Sequence, residues 1–524
     1  MQGFLARHLE MLKRGVPGSP KLGKRFWQSP ISTCLCLLLL LTLSACASLR
    51  VADTQPLSQA ELEPLGAEHI SKVGYRLESL PTDPEAPDLL ILVAISGGGK
   101  RSASFGYGAL SGMRDLMVPT RSGPRPLLDE VDGISGVSGG SFPAAYYGLY
   151  REKTFDQFKK DFLYDDTESY IYGIYLLPWN WTWLVDPSVG TNDFMDRVYD
   201  KTMFHGATFG DLEARGRPVI AITATDISYG TPFMFTQAEF DLICSDLSVF
   251  PISRAVAASN GFPGLFTPVT LTNHTKDCGG RKPDWLNHIT DAALNDPMSR
   301  AGLQGRRAER YLDGRKTEYL HLVDGGVSDN LAMRGAGSFM QVMPVEQLRD
   351  LGYLPVRRLL VLSIDGQGTQ DSSVARKKMV GGLLSVLSLV SGAQIDSYNF
   401  ETLTLINEQV QAIAQRLRDG RCASGPIVDG GRCDDVRAAL VRISLAEMPE
   451  TPEKEKLLAI PTGLTIPPED VDLLVKAGHD AIMNSPELRS FLDSYQPAPS
   501  PTQTPGTPPR VVAATYPPAR RNAP

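Results

Sequence analysis

The stretch Gly136-Val137-Ser138-Gly139-Gly140 sets a serine in the pattern G-x-S-x-G. A serine so placed can attack a carbonyl carbon if a strand turns sharply into a helix and lifts the hydroxyl out of the bend. Glycines two positions either side leave room for the two backbones to pass. Ser135, close by, does not fit the pattern. A serine nucleophile needs two further things: a proton acceptor, and donors for the negative charge that forms on the substrate oxygen.

The donors are suggested by Ser96-Gly97-Gly98-Gly99-Lys100-Arg101-Ser102, which follows the apolar run 88–96 and precedes a stretch of helical spacing. Three glycines between a strand and a helix leave backbone N–H groups uncovered at the helix N-terminus, where an anion is stabilised. A nucleotide loop is the rival reading. G-x-x-x-x-G-K-[ST] is absent, however, and G-x-G-x-x-G fails at Lys100 and Ser102, so an oxyanion hole fits better.

Two routes lead to the proton acceptor. His479, in "DLLVKAGHDAIMNSPEL", is the histidine that the order Ser, Asp or Glu, His would use, although its amphipathic helix reads as a solvated surface. The other route is a carboxylate acting directly. Asp324 ends the strand-like "EYLHLVD", and Gly325-Gly326 after it allow close backbone approach. A second Asp-Gly-Gly begins at Asp429, between Cys422 and Cys433, in what reads as a surface loop. Asp329 and Asn330 fit caps of the turn after Asp324, and Asp226 fits a structural strand end.

Gly97-Gly98-Gly99 with Arg101, the Ser138 motif, and Asp324-Gly325-Gly326, in that order, resemble the patatin-like phospholipase family. "ATDISYGTPFMFTQAEFDLICSDL" and "SRAVAASNGFPGLFTPV" are similar blocks between them, and the likeness spans about 88–335, weaker to 402. The resemblance implies a three-layer α/β/α fold and a Ser–Asp dyad: Ser138 as nucleophile, Asp324 as proton acceptor. The oxyanion hole it implies is drawn from Gly97, Gly98, Gly99, Arg101 and Gly139. Ser102 departs from the glycine common at its position. The implied activity is hydrolysis of lipid acyl esters through an acyl-enzyme. An acyltransferase with the same dyad, a Ser-His-Asp esterase using His479, and an inactive scaffold or binding lipoprotein are the alternatives. No metal or cofactor is expected.

Elements that alternate strand and helix must position these residues. Strands are expected at 88–96, 131–138, 217–227, 318–323, 357–365 and 438–446, with helical stretches between, which is the pattern of a mostly parallel sheet covered by helices. The aromatic run 170–185 reads as core or as a lid or lipid-facing patch, and core is favoured. The apolar run 381–395 reads as a buried helix, too short to span a bilayer.

The 524 residues divide into a signal segment 1–45, a tether 46–87, a catalytic domain 88–402, an α/β extension 403–495 packed on it, and a proline-rich tail 496–524. Residues 1–30 hold six basic side chains, "ISTCLCLLLLLTL" follows, and "LSAC" ends at Cys46. That order is a secretory signal, and its end resembles the bacterial lipobox, so Cys46 is expected to carry the lipid anchor. Ala47 points to the outer membrane, on its periplasmic side. Without residues 1–45 the chain has 46 basic and 58 acidic residues, a balance that excludes nucleic acid as a partner and calls for a tether to hold it at anionic lipid. Beyond Cys46 four cysteines remain, and the simplest disulfides are Cys244–Cys278 and Cys422–Cys433.

Overall fold

The computed structural model describes residues 52–58, 74–76, 85–177, 189–278, 282–335, 348–349, 352–367 and 383–497. The signal segment, Cys46 and most of the proline-rich tail lie outside the described residues. The apolar run that opens the folded body is strand β1 (Leu89–Ile95), which turns through the three glycines into α1 (Gly99–Asp115). β2 (Gly133–Val137) repeats the form, turning through Ser138–Gly140 into α2 (Ser141–Tyr150). Then come α3 (Thr167–Leu176), α4 (Thr191–Tyr199), β3 (Val219–Asp226) and β4 (Thr231–Phe235). These are followed by α5 (Ile252–Ser259), β5 (Val269–Thr272), α6 (Arg300–Leu312) and β6 (Tyr319–Asp324). The chain closes with β7 (Arg358–Asp365), α7 (Leu383–Ser424), β8 (Arg437–Ser444), α8 (Pro468–Asn484) and α9 (Pro486–Asp493).

The strands form one sheet in the order β8-β7-β1-β2-β3-β6-β5, with β4 also paired to β3. From β8 to β3 every pairing is parallel. β6 runs antiparallel to β3, and β4 and β5 are antiparallel additions. The reversal of β6 positions the site. Val137 pairs with Thr223, and Asp324 pairs with Ala224. β6 therefore enters from beyond the C-terminal edge of the parallel strands and ends one position past Val137, level with Ser138. β4 and β5 escape sequence reading because "TPFMF" and "VTLT" are short and one contains proline.

Side-chain alternation divides the core. Leu89, Ile91, Val93 and Ile95 of β1 join Ile220 and Ile222 of β3 in a cluster with α1, α2 and α8. Leu90 and Ala94 face the other way and pack with Leu359 and Val361 of β7 against Ile406, Val410 and Leu417 of α7. Helices thus cover both faces, giving the expected three layers. Residues 403–495 contribute directly to this body, since β8 is hydrogen-bonded along all of β7. α8 lies so close to α1 that a Cβ on Gly112 would come within 2.8 Å of the His479 carbonyl oxygen and one on Gly478 would overlap that of Phe105.

The aromatic run is corrected in part. Ile171 of α3 is buried, but Tyr172 and Leu176 are 60% and 73% exposed, so this part of the run is surface rather than core. Residues 178–188, with three tryptophans, lie outside the described residues. Most of the run 381–395 falls in α7, and among the described residues no helix is long and apolar enough to cross a membrane. The disulfides are Cys244–Cys278 and Cys422–Cys433, with Cα separations of 6.0 and 4.8 Å.

Candidate active site

Ser138 is the first residue after β2, and its φ is 50°. A non-glycine residue in the left-handed region is strained by about 1–3 kcal/mol, and such strain persists only where the surroundings impose it. Here they do. The Ser138 N–H donates to Ser259 Oγ at 2.8 Å, and Ser259 Oγ donates to the Thr223 carbonyl at 2.6 Å. Behind the bend, a Cβ on Gly136 would come within 2.6 Å of the Gly140 carbonyl oxygen, so the turn closes only around glycine.

Asp324 ends β6, and its Oδ2 accepts the Ser138 hydroxyl at 2.9 Å. Its Oδ1 accepts the Gly326 N–H at 2.8 Å. Burial pushes the carboxyl up to about 6, against the lowering effect of those two hydrogen bonds. No cation is among the influences on it, so desolvation dominates. A carboxylate tuned toward neutrality is a better proton acceptor than an exposed one.

The glycine loop closes over the same point. A Cβ on Gly139 would overlap the Gly99 carbonyl oxygen, and one on Gly97 would touch the Ser138 Cβ at 3.4 Å. α1 begins at Gly99 with no side-chain cap and no acid in its first turn, which leaves the N-terminal N–H groups for an anion. Among the described residues, the N–H groups of Gly98, Gly99 and Gly139 make no backbone hydrogen bond outside their own helical turns.

Two members of the expected oxyanion set are occupied elsewhere. The Gly97 N–H donates to the Asn330 carbonyl at 2.9 Å. Arg101 is buried, donating from Nε to the Gly366 carbonyl at 3.0 Å and from Nη1 to the Ile460 carbonyl at 2.8 Å. Its guanidinium ties α1 to the loop after β7, and burial lowers its pKa to about 10. Arg101 therefore holds the frame of the glycine loop. Ser102, the departure from glycine, donates to the Ser96 carbonyl at 2.6 Å and pins the strand end to α1. Lys100 turns to the Asp165 carbonyl and the Phe162 ring, and burial lowers its pKa to about 8.

The other candidates are kept apart from Ser138. His479 lies on α8 between Asp115 Oδ2 at 3.1 Å and Asp480 Oδ1 at 3.2 Å. Asp115 ends α1, about 24 Å along the helix from Gly99 at 1.5 Å per residue. This removes the Ser-His-Asp arrangement. Asp429 is exposed in the disulfide-closed hairpin, as expected of a surface loop. Asp226 accepts from the Ser228 N–H and the Tyr311 hydroxyl. Asp329 does cap a turn, accepting from the N–H groups of Met333 and Arg334. Asn330 instead joins its turn to the glycine loop through Gly97 and donates to Gln367 Oε1. Ser135 donates to the Ala332 carbonyl.

Sequence reading missed Ser259-Asn260-Gly261, at the end of α5, which touch both members of the pair. Ser259 receives the Ser138 N–H on its Oγ and the Gly325 N–H on its carbonyl. The Gly261 carbonyl accepts the Asp324 N–H at 2.9 Å, and Asn260 Oδ1 lies 3.2 Å from Ser138 Oγ. The signal was present in "AASNGFPG", but nothing local to those residues shows which distant turn they meet. Among the described residues no group of three or more His, Cys, Asp or Glu side chains is arranged to hold a metal ion. An apolar cavity of about 310 Å³ lies elsewhere, between the Leu90 and Leu92 face of β1 and α7, and neither Ser138 nor Asp324 lines it.

The family profile described as patatin-like phospholipase matches residues 93–336. Among solved structures, human GIVD cytosolic phospholipase A2 is similar at 12% identity, with a TM-score of 0.36, over 84% of this chain and 68% of that one. VipD from Legionella pneumophila is similar at 12% identity, with a TM-score of 0.30, over 84% of this chain and 73% of that one. No curated protein sequence matches the chain.

Proposed function

Starting from residues 93–336 as a patatin-like phospholipase domain, we propose that the protein hydrolyses acyl esters of phospholipids or lysophospholipids through a Ser138–Asp324 dyad. The observation that carries the proposal is the 2.9 Å hydrogen bond from the Ser138 hydroxyl to a buried carboxylate. Ser138 Oγ attacks the acyl carbon while its proton passes to Asp324 Oδ2. The carbonyl electron pair moves onto oxygen, where the N–H groups of Gly98, Gly99 and Gly139 receive it. Collapse expels the lipid alcohol, protonated by Asp324, and leaves an acyl-serine. Water then attacks the acyl carbon, giving its proton to Asp324, and Oγ leaves with that proton. Each lost oxyanion donor costs roughly 3–4 kcal/mol of barrier.

The lipid anchor expected at Cys46 extends the proposal. It would hold an otherwise acidic protein at the membrane whose lipids it cleaves, in the bacterial envelope.

The test is release of fatty acid from phosphatidylcholine in mixed micelles by the full chain, beside Ser138→Ala, Asp324→Asn and Asp429→Asn. The proposal requires loss in the first two variants and retention in the third. Equal rates in wild type and Ser138→Ala would overturn it, and transfer of the acyl group to an added alcohol in preference to water would make the protein an acyltransferase.

A further inference from the structure

We infer that Asn260 donates a hydrogen bond to the nucleophile: its amide NH₂ faces Ser138 Oγ, and its oxygen accepts the hydroxyl proton of Tyr199. The inference rests on Ser138 and Asp324 being the dyad. Ser138, Asn260, Asp324 and Tyr199 are all at least nine-tenths buried. Asn260 lies with Oδ1 3.2 Å from Ser138 Oγ and Nδ2 3.2 Å from the Tyr199 hydroxyl, while Asp324 Oδ2 is 2.9 Å from Ser138 Oγ.

Counting protons decides the orientation of the amide. Oxygen and nitrogen of a carboxamide are nearly the same size, and the hydrogen-bond network determines which is which. With oxygen toward Ser138, one serine proton faces two acceptors. Asp324, charged and nearer, takes it, and two lone pairs then face each other across 3.2 Å. The Tyr199 proton meanwhile has no acceptor among the described residues. Turning the amide over gives each hydroxyl proton one acceptor and Ser138 Oγ one amide donor. Tyr199 donates to Asn260 Oδ1, Asn260 Nδ2 to Ser138 Oγ, and Ser138 to Asp324 Oδ2. Buried polar groups are paired in this way as a rule.

A capping role does not account for the residue. Asn260 follows α5 at φ −98°, where any side chain is tolerated, so the left-handed preference of asparagine is not in use. The contribution is to the reaction. The N–H occupies one lone pair of Oγ and aims the other at the acyl carbon. When the acyl-enzyme breaks down, the C–Oγ pair returns to Oγ, the proton returns from Asp324, and the Asn260 N–H stabilises the charge on the departing oxygen. Deacylation is the step that depends on it most.

The experiment uses the full chain in detergent with a chromogenic short-chain ester, following burst and steady state for Asn260→Ala, Asn260→Asp, Tyr199→Phe and the Tyr199→Phe/Asn260→Ala pair. Asn260→Ala should lower kcat about tenfold to a hundredfold, the range for a hydrogen bond to a group gaining charge, and a burst of nearly one alcohol per enzyme should precede slow turnover. Asn260→Asp keeps the shape but replaces the donor with a second carboxylate. It should lose at least as much and move the acid limb of the pH profile upward. Tyr199→Phe should cost less and add nothing to Asn260→Ala. Wild-type kcat and pH profile in Asn260→Asp would overturn the inference, as would additive losses in the pair. Should alanine prevent folding, the isosteric aspartate variant carries the test alone. Loss of turnover in Ser138→Ala, measured first, separates failure of this inference from failure of the dyad.

Discussion

Asp324 holds the Ser138 hydroxyl with one carboxylate oxygen and the Gly326 N–H with the other, so both acceptor atoms are aimed before any substrate arrives. That alignment holds an ionisable group in a largely buried position, with consequences for stability as well as rate.

Asp324→Asn should make the fold more stable at neutral pH. Burial raises the folded-state pKa from the ordinary 3.8 to about 6. Its contribution is fully present below the unfolded value and is lost as pH rises through about 6, because above it the folded state must hold a buried charge. Asparagine removes that charge. Denaturant titration should give the variant about 2–3 kcal/mol over wild type at pH 7.5, with the gain fading by pH 4. A variant less stable at pH 7.5 would show that the carboxylate is better solvated than its burial implies.

The bend at Ser138 should also reveal itself. Glycine adopts φ 50° without the side-chain penalty, so Ser138→Gly should exceed Ser138→Ala in stability by about 1 kcal/mol while both are inactive. Equal melting temperatures would mean that the turn relaxes when the serine is replaced.

Gly139→Ala probes the junction of the two glycine motifs. A methyl group there overlaps the Gly99 peptide, so one of the two N–H donors must move. Turnover should fall at least about a hundredfold, comparable to the loss of one oxyanion donor. Turnover within threefold of wild type would place the negative charge elsewhere.

His479→Ala should leave turnover unchanged. The ring bridges Asp115 and Asp480 on a half-exposed surface, so the stability cost should stay below about 1 kcal/mol. A hundredfold loss of turnover in a folded variant would restore histidine to the mechanism.

Much of this site is legible in the chain because its parts are local. A strand, a glycine turn and a helix lie within a dozen residues at Gly97–Gly99 and again at Ser138, and the chemistry of each turn follows from residues beside it. The pairing of Ser138 with Asp324 is legible through the resemblance to the patatin-like phospholipase family and not through strand order. C-terminal ends of antiparallel strands lie at opposite edges, and these meet only because β6 starts beyond the C-terminal edge. Direction is not. β6 has the composition of the parallel strands, and only pairing shows that it runs against β3. Side-chain commitments are hidden too. Arg101 reads as a cation beside an anion hole, yet its Nε and Nη1 donate to the carbonyls of Gly366 and Ile460. Asn260 reads as one polar residue at a helix end, and its role depends on Tyr199 and Ser138, 61 and 122 positions away.

The most direct test of the account is the rate of covalent labelling of the full chain by a fluorophosphonate, measured between pH 4.5 and 8.5, with the adduct mapped by peptide mass. The account predicts a single adduct on Ser138, a rate that rises with one proton's dependence through about pH 6 and then levels, and near-complete loss in Asp324→Asn. An adduct on another residue, or undiminished labelling of Asp324→Asn, would contradict it.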